Sequence, residues 1–267
     1  MVIRFFRAAG IGSLAGAIAG LLAGGIGGRV AMRIVAIVAG PDKVGLTTEN
    51  GNRVGDITVE GTLGLVLFAG VFGGILGGLI YEAVRPWLAS FGRWRGLVFG
   101  LALLAAVGSV IINPGNLDFR RFGSPALNAF LFALLFILYG AVLVPIEERL
   151  RLAVPESPVR AQSVWSWIAE VAVLLALVPP GLLLAGGVAG VVSLAGRPID
   201  ESVVAPTLVV LFLVIVLALR RLLEMRERTV GGRGGLGRVG ALGYAVLAVP
   251  IAVGAVESVR AIGAIVR

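Results

Sequence analysis

Apolar positions in this chain come in long runs, separated by short polar stretches rich in Arg, Gly and Pro. The pattern predicts seven apolar segments, at 8–38, 61–84, 96–112, 125–146, 164–195, 206–219 and 239–262. Five of them exceed the ~20 residues that a helix needs to cross the hydrocarbon core of a bilayer. In lipid every backbone N–H and C=O must pair within its own segment, so runs of this kind become helices. A transmembrane barrel would need short alternating strands instead. The expected fold class is all-α: a polytopic integral membrane helix bundle of about seven transmembrane helices.

The first segment has a finer pattern. Gly12, Gly16, Gly20, Gly24 and Gly28 recur every four residues, which places them on one helix face as a groove without side chains. Leu14, Ile18, Leu22, Ile26 and Val30 form a ridge on the other side. In water each Gly costs a helix about 1 kcal/mol against Ala. Between lipid tails the same spacing lets a second helix approach closely. Gly70, Gly74 and Gly78 repeat the step in the second segment, so a glycine zipper between helices 1 and 2 is expected. Tyr81-Glu82-Ala83-Val84 and Tyr139-Gly140-Ala141-Val142 are a weak echo between segments two and four, too short to argue a duplication.

Composition agrees: 58% of the 267 residues are hydrophobic, 14% are charged, and mean hydropathy is +1.01. There is no Cys and no His. That removes thiolate nucleophiles, disulfides, iron–sulfur and cysteine-zinc sites, and with His the usual haem, copper and zinc ligand and the ordinary base near neutral pH. No cofactor and no metal site is implied. The basic start and following apolar run are read as the first mature span, because the run is too long for a signal-peptide core.

The net charge of +8 is explained by topology rather than by nucleic acid, since arginines gather in short loops between spans. With the N-terminus cytoplasmic, 14 of the 23 basic residues fall inside, six of them between Arg220 and Arg238. This predicts the cell (inner) membrane, N-terminus in and C-terminus out. The halves are 1–150, with four spans, and 164–267, with three, joined by a cytoplasmic linker at 151–163 that continues a charged stretch starting at Glu147. On the outer side, 40–60 predicts a small hairpin around Asn50-Gly51, with Ile57 and Val59 alternating. The loop 113–124 predicts Phe119 and Phe122 seated at the interface, with Asp118 beside Arg120 or Arg121.

Ionisable groups within spans are the default functional candidates, because hydrocarbon makes them costly. Arg29, Arg33, Glu170 and Glu257 form the candidate intramembrane polar site. Glu257 shares a depth with Arg29 and Arg33, so either a pair from first span to last, or a local Glu257–Arg260 pair with snorkelling arginines, is expected. Glu82 reads as an interface charge partnered by Arg85. Pro179-Pro180-Gly181 predicts a break in the fifth segment, and Gly27-Gly28-Arg29 an interruption in the first.

Two functions compete on this pattern. One is a small-solute or ion transporter or channel-like bundle. The other is a non-catalytic structural or assembly subunit, with the lipid bilayer and a second copy or membrane-complex partners as its contacts. An intramembrane enzyme fares worst, because no catalytic residue can be named.

Overall fold

The computed structural model describes residues 2–154 apart from 50, 52 and 55–57, together with 176, 216 and 238–266. Segments five and six, the linker beyond Val154, Glu170, and Pro179-Pro180-Gly181 lie outside the described residues. Those residues are mostly helical and contain no strand. Four helical stretches are long and apolar enough to cross a membrane: Phe6–Ala39, Val59–Ile111, Pro125–Ala153 and Gly243–Val266.

The first rod runs as α1 (Val2–Gly20), a π-helical stretch Leu21–Gly27, and α2 (Gly28–Ala39). The interruption expected at Gly27-Gly28-Arg29 is therefore a widened π turn within a continuous rod. A true break would strand backbone groups away from water, whereas a π turn keeps them bonded. α2 stops at Gly40, whose φ of +86° lies in the left-handed region.

The loop that follows is tied by an antiparallel bridge between Thr47 and Arg53, with Gly51 at φ +76° in the turn. Val59 does not continue a hairpin. It opens α3 (Val59–Gly64), because the Thr58 hydroxyl caps the Gly61 N–H at 3.2 Å. A second π-helical stretch, Leu65–Phe72, leads into α4 (Gly73–Leu88).

The stretch Val59–Ile111 is two helices rather than one. Gly92, at φ +51° and ψ −125°, reverses the chain after the turn Ala89–Trp94, and α5 (Arg95–Ile111) runs back. Tyr81 and Phe99, on either side of the reversal, meet edge to face with ring centroids 5.1 Å apart. A short α6 (Asp118–Arg121) precedes α7 (Pro125–Ala153). α7 outruns the expected end at Ile146 by seven residues, because Glu147 to Ala153 holds good helix formers and no Gly or Pro. α8 (Arg238–Val266) completes the described helices.

Small residues set the packing. A Cβ on Gly12 would lie 2.8 Å from the Gly78 carbonyl oxygen, one on Gly16 2.9 Å from the Gly78 Cα, and one on Gly20 2.7 Å from the Gly74 Cα. α1 and α4 thus cross antiparallel with their backbones in direct contact. The last two steps of the row meet other things, Gly24 the Ala69 carbonyl and Gly28 the Leu65 side chain. The two π stretches face each other at this level.

A second seam joins α5 to α7, where Cβ atoms on Gly96 and Gly100 would each lie 2.6 Å from a carbonyl oxygen, of Gly140 and Phe136. α8 lies along α5, with the Ser258 hydroxyl accepting from the Ser109 N–H at 3.1 Å. Phe119 and Phe122 are buried, and Asn128 donates to both of their carbonyls, at 3.0 and 2.6 Å, fixing α6 to α7.

These contacts give the bundle two distinct ends. Arg7, Glu82, Trp87, Val154 and Tyr244 gather at one, called here the near end. The loops at 40–58 and 113–124 and the last turn of α8 gather at the far end, where Arg120 donates to the Ala264 carbonyl.

Candidate functional site: a buried ion cluster

At the near end α1, α4 and α7 converge, and each delivers charge. Glu82 on α4 is 4% exposed and Glu147 on α7 is 0% exposed. Arg151, one turn after Glu147 on the same helix, pairs with both carboxylates. Arg85, nearly one turn after Glu82 on α4, places its Nε 3.5 Å from Glu147 Oε1. The spacing explains the convergence. Positions three and four apart share a helix face, so α4 turns Glu82 and Arg85 toward α7 while α7 turns Glu147 and Arg151 toward α4.

α1 supplies two further parts. Gly12 leaves room for the Glu82 side chain, which a Cβ there would strike. Arg7 donates to the Arg151 carbonyl at 3.1 Å and to the Val154 carbonyl at 3.2 Å. These carbonyls close α7, and a cation there satisfies acceptors that have no partner within the helix. Arg95 and Glu148 make a pair at the rim.

Two arginines thus face two carboxylates, with Arg7 on the carbonyls behind them, inside a bundle of long apolar helices. Removing two charges from water is expensive, and the attraction between them offsets this only where the remaining lone pairs are also satisfied. They are not all satisfied. Glu147 Oε2 is buried and without a hydrogen-bond partner among the described residues. Removing one member of such a cluster, or protonating it, would leave the rest uncompensated. Chemically the arrangement is a clasp between helices whose closure depends on charge.

Apolar and aromatic packing sits directly above it. The Tyr139 hydroxyl lies against Gly77 and donates to the Gly74 carbonyl at 2.7 Å, linking α7 to α4 a few turns from the ions. Tyr81 and Tyr139, the two tyrosines of the weak sequence echo, both pack on Phe99, at 5.1 and 6.5 Å between centroids.

The residues singled out from sequence are spread more widely. Glu257 is exposed and pairs with Arg260 at 2.9 Å on its own helix, so the pairing from first span to last is not made. The reason is geometric: α8 lies against α5 and α7, and a partner three residues away needs no second helix. Arg33 is exposed near the far end of α2, beside a shallow groove lined also by Ala36, Ile37, Gly40, Pro41 and Val44. Arg29 is half-buried one turn earlier, and its Nε and Nη2 are buried with no hydrogen-bond partner among the described residues.

Glu82 is buried and bridged to Arg151 of α7, a partner on another helix that its pairing with Arg85 did not include. Glu147 and Arg151 are the members that reading by span missed, because the fourth segment was ended at Ile146. Their spacing of four, acid before base, was the available signal. At the far end Asp118 accepts from the Glu49 N–H, at 3.2 Å to Oδ2, rather than resting on a neighbouring arginine alone. The chain matches no family model, no curated protein and no solved structure.

Proposed function

We propose that this chain is a small-solute or ion transporter, or a channel-like bundle, in the cell's inner membrane, with the near end cytoplasmic. The carrying observation is the cluster of Glu82, Arg85, Glu147 and Arg151, with Arg7 behind it. Ionisable groups held between membrane-spanning helices are costly, and they are retained where charge movement or gating needs them. The clasp serves as the gate on the near side: it holds α4 to α7 when paired, and it opens a path between them when a carboxylate is neutralised. The facing π stretches, Leu21–Gly27 and Leu65–Phe72, are the point in the bundle where the backbone can shift register at least cost. The orientation rests on the arginine count.

The test uses the absence of native cysteine. Ser13 and Ala23 are both 0% exposed and tolerate a thiol at little cost in volume. Ser13→Cys and Ala23→Cys are placed singly in the intact chain and in its Glu147→Gln variant, reconstituted in vesicles, and exposed to a membrane-impermeant maleimide. Transport predicts that Ser13→Cys labels from the near side and that Glu147→Gln raises the labelling rate at least tenfold. Protection of both thiols in both backgrounds, with Ser124→Cys labelling as a loop control, would sink the gate.

A second reading, a structural or assembly subunit, is favoured by a different observation. The rows Gly12, Gly16, Gly20 and Gly70, Gly74, Gly78 bring α1 and α4 together backbone on backbone, as a glycine zipper would. On this reading the clasp locks a rigid partner-binding unit. Protection of both thiols in the same experiment is its expected result.

A further inference from the structure

The structure points to a second site, at the far end and independent of the transport reading. We infer that Arg29, with Arg33 one turn beyond it, holds the phosphate of a membrane phospholipid in the far leaflet. Three observations carry this.

Arg29 has two buried N–H donors, on Nε and Nη2, with no acceptor among the described residues. A guanidinium that is partly removed from water and lacks a partner is unfavourable, and its planar donor fork matches the oxygens of a phosphate. Something anionic completes it.

The depth fits a headgroup. Arg7, in the near-end cluster, precedes Arg29 by 22 residues of continuous helical rod, which is roughly 30 Å of rise. That is about the thickness of the hydrocarbon core. With Arg7 at one interface, Arg29 stands at the other, and Arg33 stands just outside it.

The surroundings fit an acyl chain. Leu22 and Ile26 are exposed and precede Arg29 by seven and three residues on the same rod, so the surface from Arg29 toward mid-membrane is apolar and open to lipid. A cationic head above an apolar track has the amphipathic order of a phospholipid. A soluble anion would use the arginines and ignore the track.

Anionic lipid is favoured over zwitterionic lipid, because its headgroup brings no cation to compete for the phosphate. The experiment is a thermal melt of the purified full chain in neutral detergent, with added phosphatidylglycerol, phosphatidylcholine or inorganic phosphate. The expected result is that phosphatidylglycerol raises the Tm by about 4 °C, phosphatidylcholine by less than half of that, and inorganic phosphate not at all. Arg29→Gln removes most of the phosphatidylglycerol shift, and Arg29→Lys, which keeps the charge without the fork, retains about half. An unchanged shift in Arg29→Gln would overturn the site. An equal shift from inorganic phosphate would overturn the lipid assignment in favour of a free anion. A folding defect would not blur the answer: without lipid, Arg29→Gln should melt no lower than the native chain, because it removes an unpartnered cation. Lipid phosphorus retained per chain after purification gives the second readout. It should fall at least twofold in Arg33→Gln, and equal retention in Arg33→Gln and the native chain would overturn the pair.

Discussion

α1 meets its neighbours in two chemically opposite ways within a few turns. In the middle of the bundle it touches α4 through Gly16 and Gly20 against Gly74 and Gly78, where backbone meets backbone. At the near end α1 reaches α7 through Arg7, and α4 and α7 are joined by Glu82, Arg85, Glu147 and Arg151. The first contact is dispersion between close-packed backbones. It is short in range, indifferent to charge and intolerant of volume. The second is electrostatic, tolerant of small changes in volume and intolerant of a missing charge. The two regions should therefore fail under different substitutions.

The largest expected effect is on the glycine side. Gly16→Leu pushes a side chain into the backbone of Gly74 and Gly78, where no flexible side chain can yield. The cost should be about 3 kcal/mol or more, at the upper end for overpacking, and little folded protein should be recovered from membranes. Gly64→Leu is the matched control, since nothing lies within 4 Å of a Cβ there. It should change stability by less than about 0.5 kcal/mol. Size-exclusion profiles in detergent distinguish the two, and equal behaviour would deny that the seam is volume-limited.

Next comes the cluster. Glu147→Gln changes volume very little and removes one charge, leaving Arg85 and Arg151 undercompensated. Breaking a fully buried pair costs about 3–5 kcal/mol. The arginine side chains here are 34% and 20% exposed, so water screens part of the loss and about 2–3 kcal/mol is expected. The converse substitution sharpens the contrast: Gly16→Ala, a neutral methyl group, should cost more than its size suggests, while Glu147→Asp, which keeps the charge, should recover part of the loss. Tm in detergent measures both.

A smaller effect tests the join between the two regions. Tyr139→Phe deletes the hydrogen bond to the Gly74 carbonyl but keeps the ring over Gly77. About 1 kcal/mol should be lost. Because Gly74 also lies in the seam, its effect should not add to that of Gly74→Ala, whereas additivity is expected with Glu147→Gln.

The difference also explains what the sequence disclosed. Glycines at a step of four are a one-dimensional pattern, and one helix alone shows the smooth face that will be used. Gly12, Gly16, Gly20, Gly70, Gly74 and Gly78 carry such a pattern, and the apolar runs that become the described helices were readable in the same way. The cluster is a three-helix object. Glu82 had a base three residues away, and nothing within its own segment indicated that α7 would bring a better one. Glu147 was hidden by a boundary drawn where hydropathy falls, although α7 continues for seven more residues. Of the two readings of Glu257, the local pair with Arg260 is the one found. The depth of Glu257 matched Arg29, but α8 packs on α5, a fact of topology that residue spacing does not carry. The α5–α7 seam had its own step, Gly96 and Gly100, but only two members. Of the two π stretches, Leu21–Gly27 borders the interruption expected at Gly27-Gly28-Arg29, whereas Leu65–Phe72 had no signal in the apolar pattern.

The far-end loops supply the smallest prediction and a third kind of contact, in which the carboxylate of each loop accepts from a backbone N–H of the other. The Glu49 N–H donates to Asp118, and Glu49 Oε1 accepts from the Leu117 N–H at 3.0 Å, so the loops at 40–58 and 113–124 hold each other reciprocally. Burial raises the Asp118 pKa from the ordinary carboxylate value, and the Glu49 charge adds to this; the Glu49 N–H and Arg121 act the other way. A raised pKa means that the folded loops bind the proton more tightly than the unfolded chain does. Stability from this group is therefore complete below the unfolded value, near 3.9, and is lost as pH rises through the higher folded value. Asp118 is partly exposed, so solvent screening limits the effect to a few tenths of a kcal/mol. The chain holds other acidic residues, so the contribution of Asp118 has to be isolated by substitution. The informative quantity is therefore the difference in Tm between the native chain and Asp118→Asn, followed from pH 7 to pH 4. Asparagine keeps an acceptor for the Glu49 N–H and cannot titrate. The native chain should gain on the variant as the pH falls, and a difference that stays flat, or grows toward neutral pH, would show that Asp118 is not the loop's proton-sensitive group.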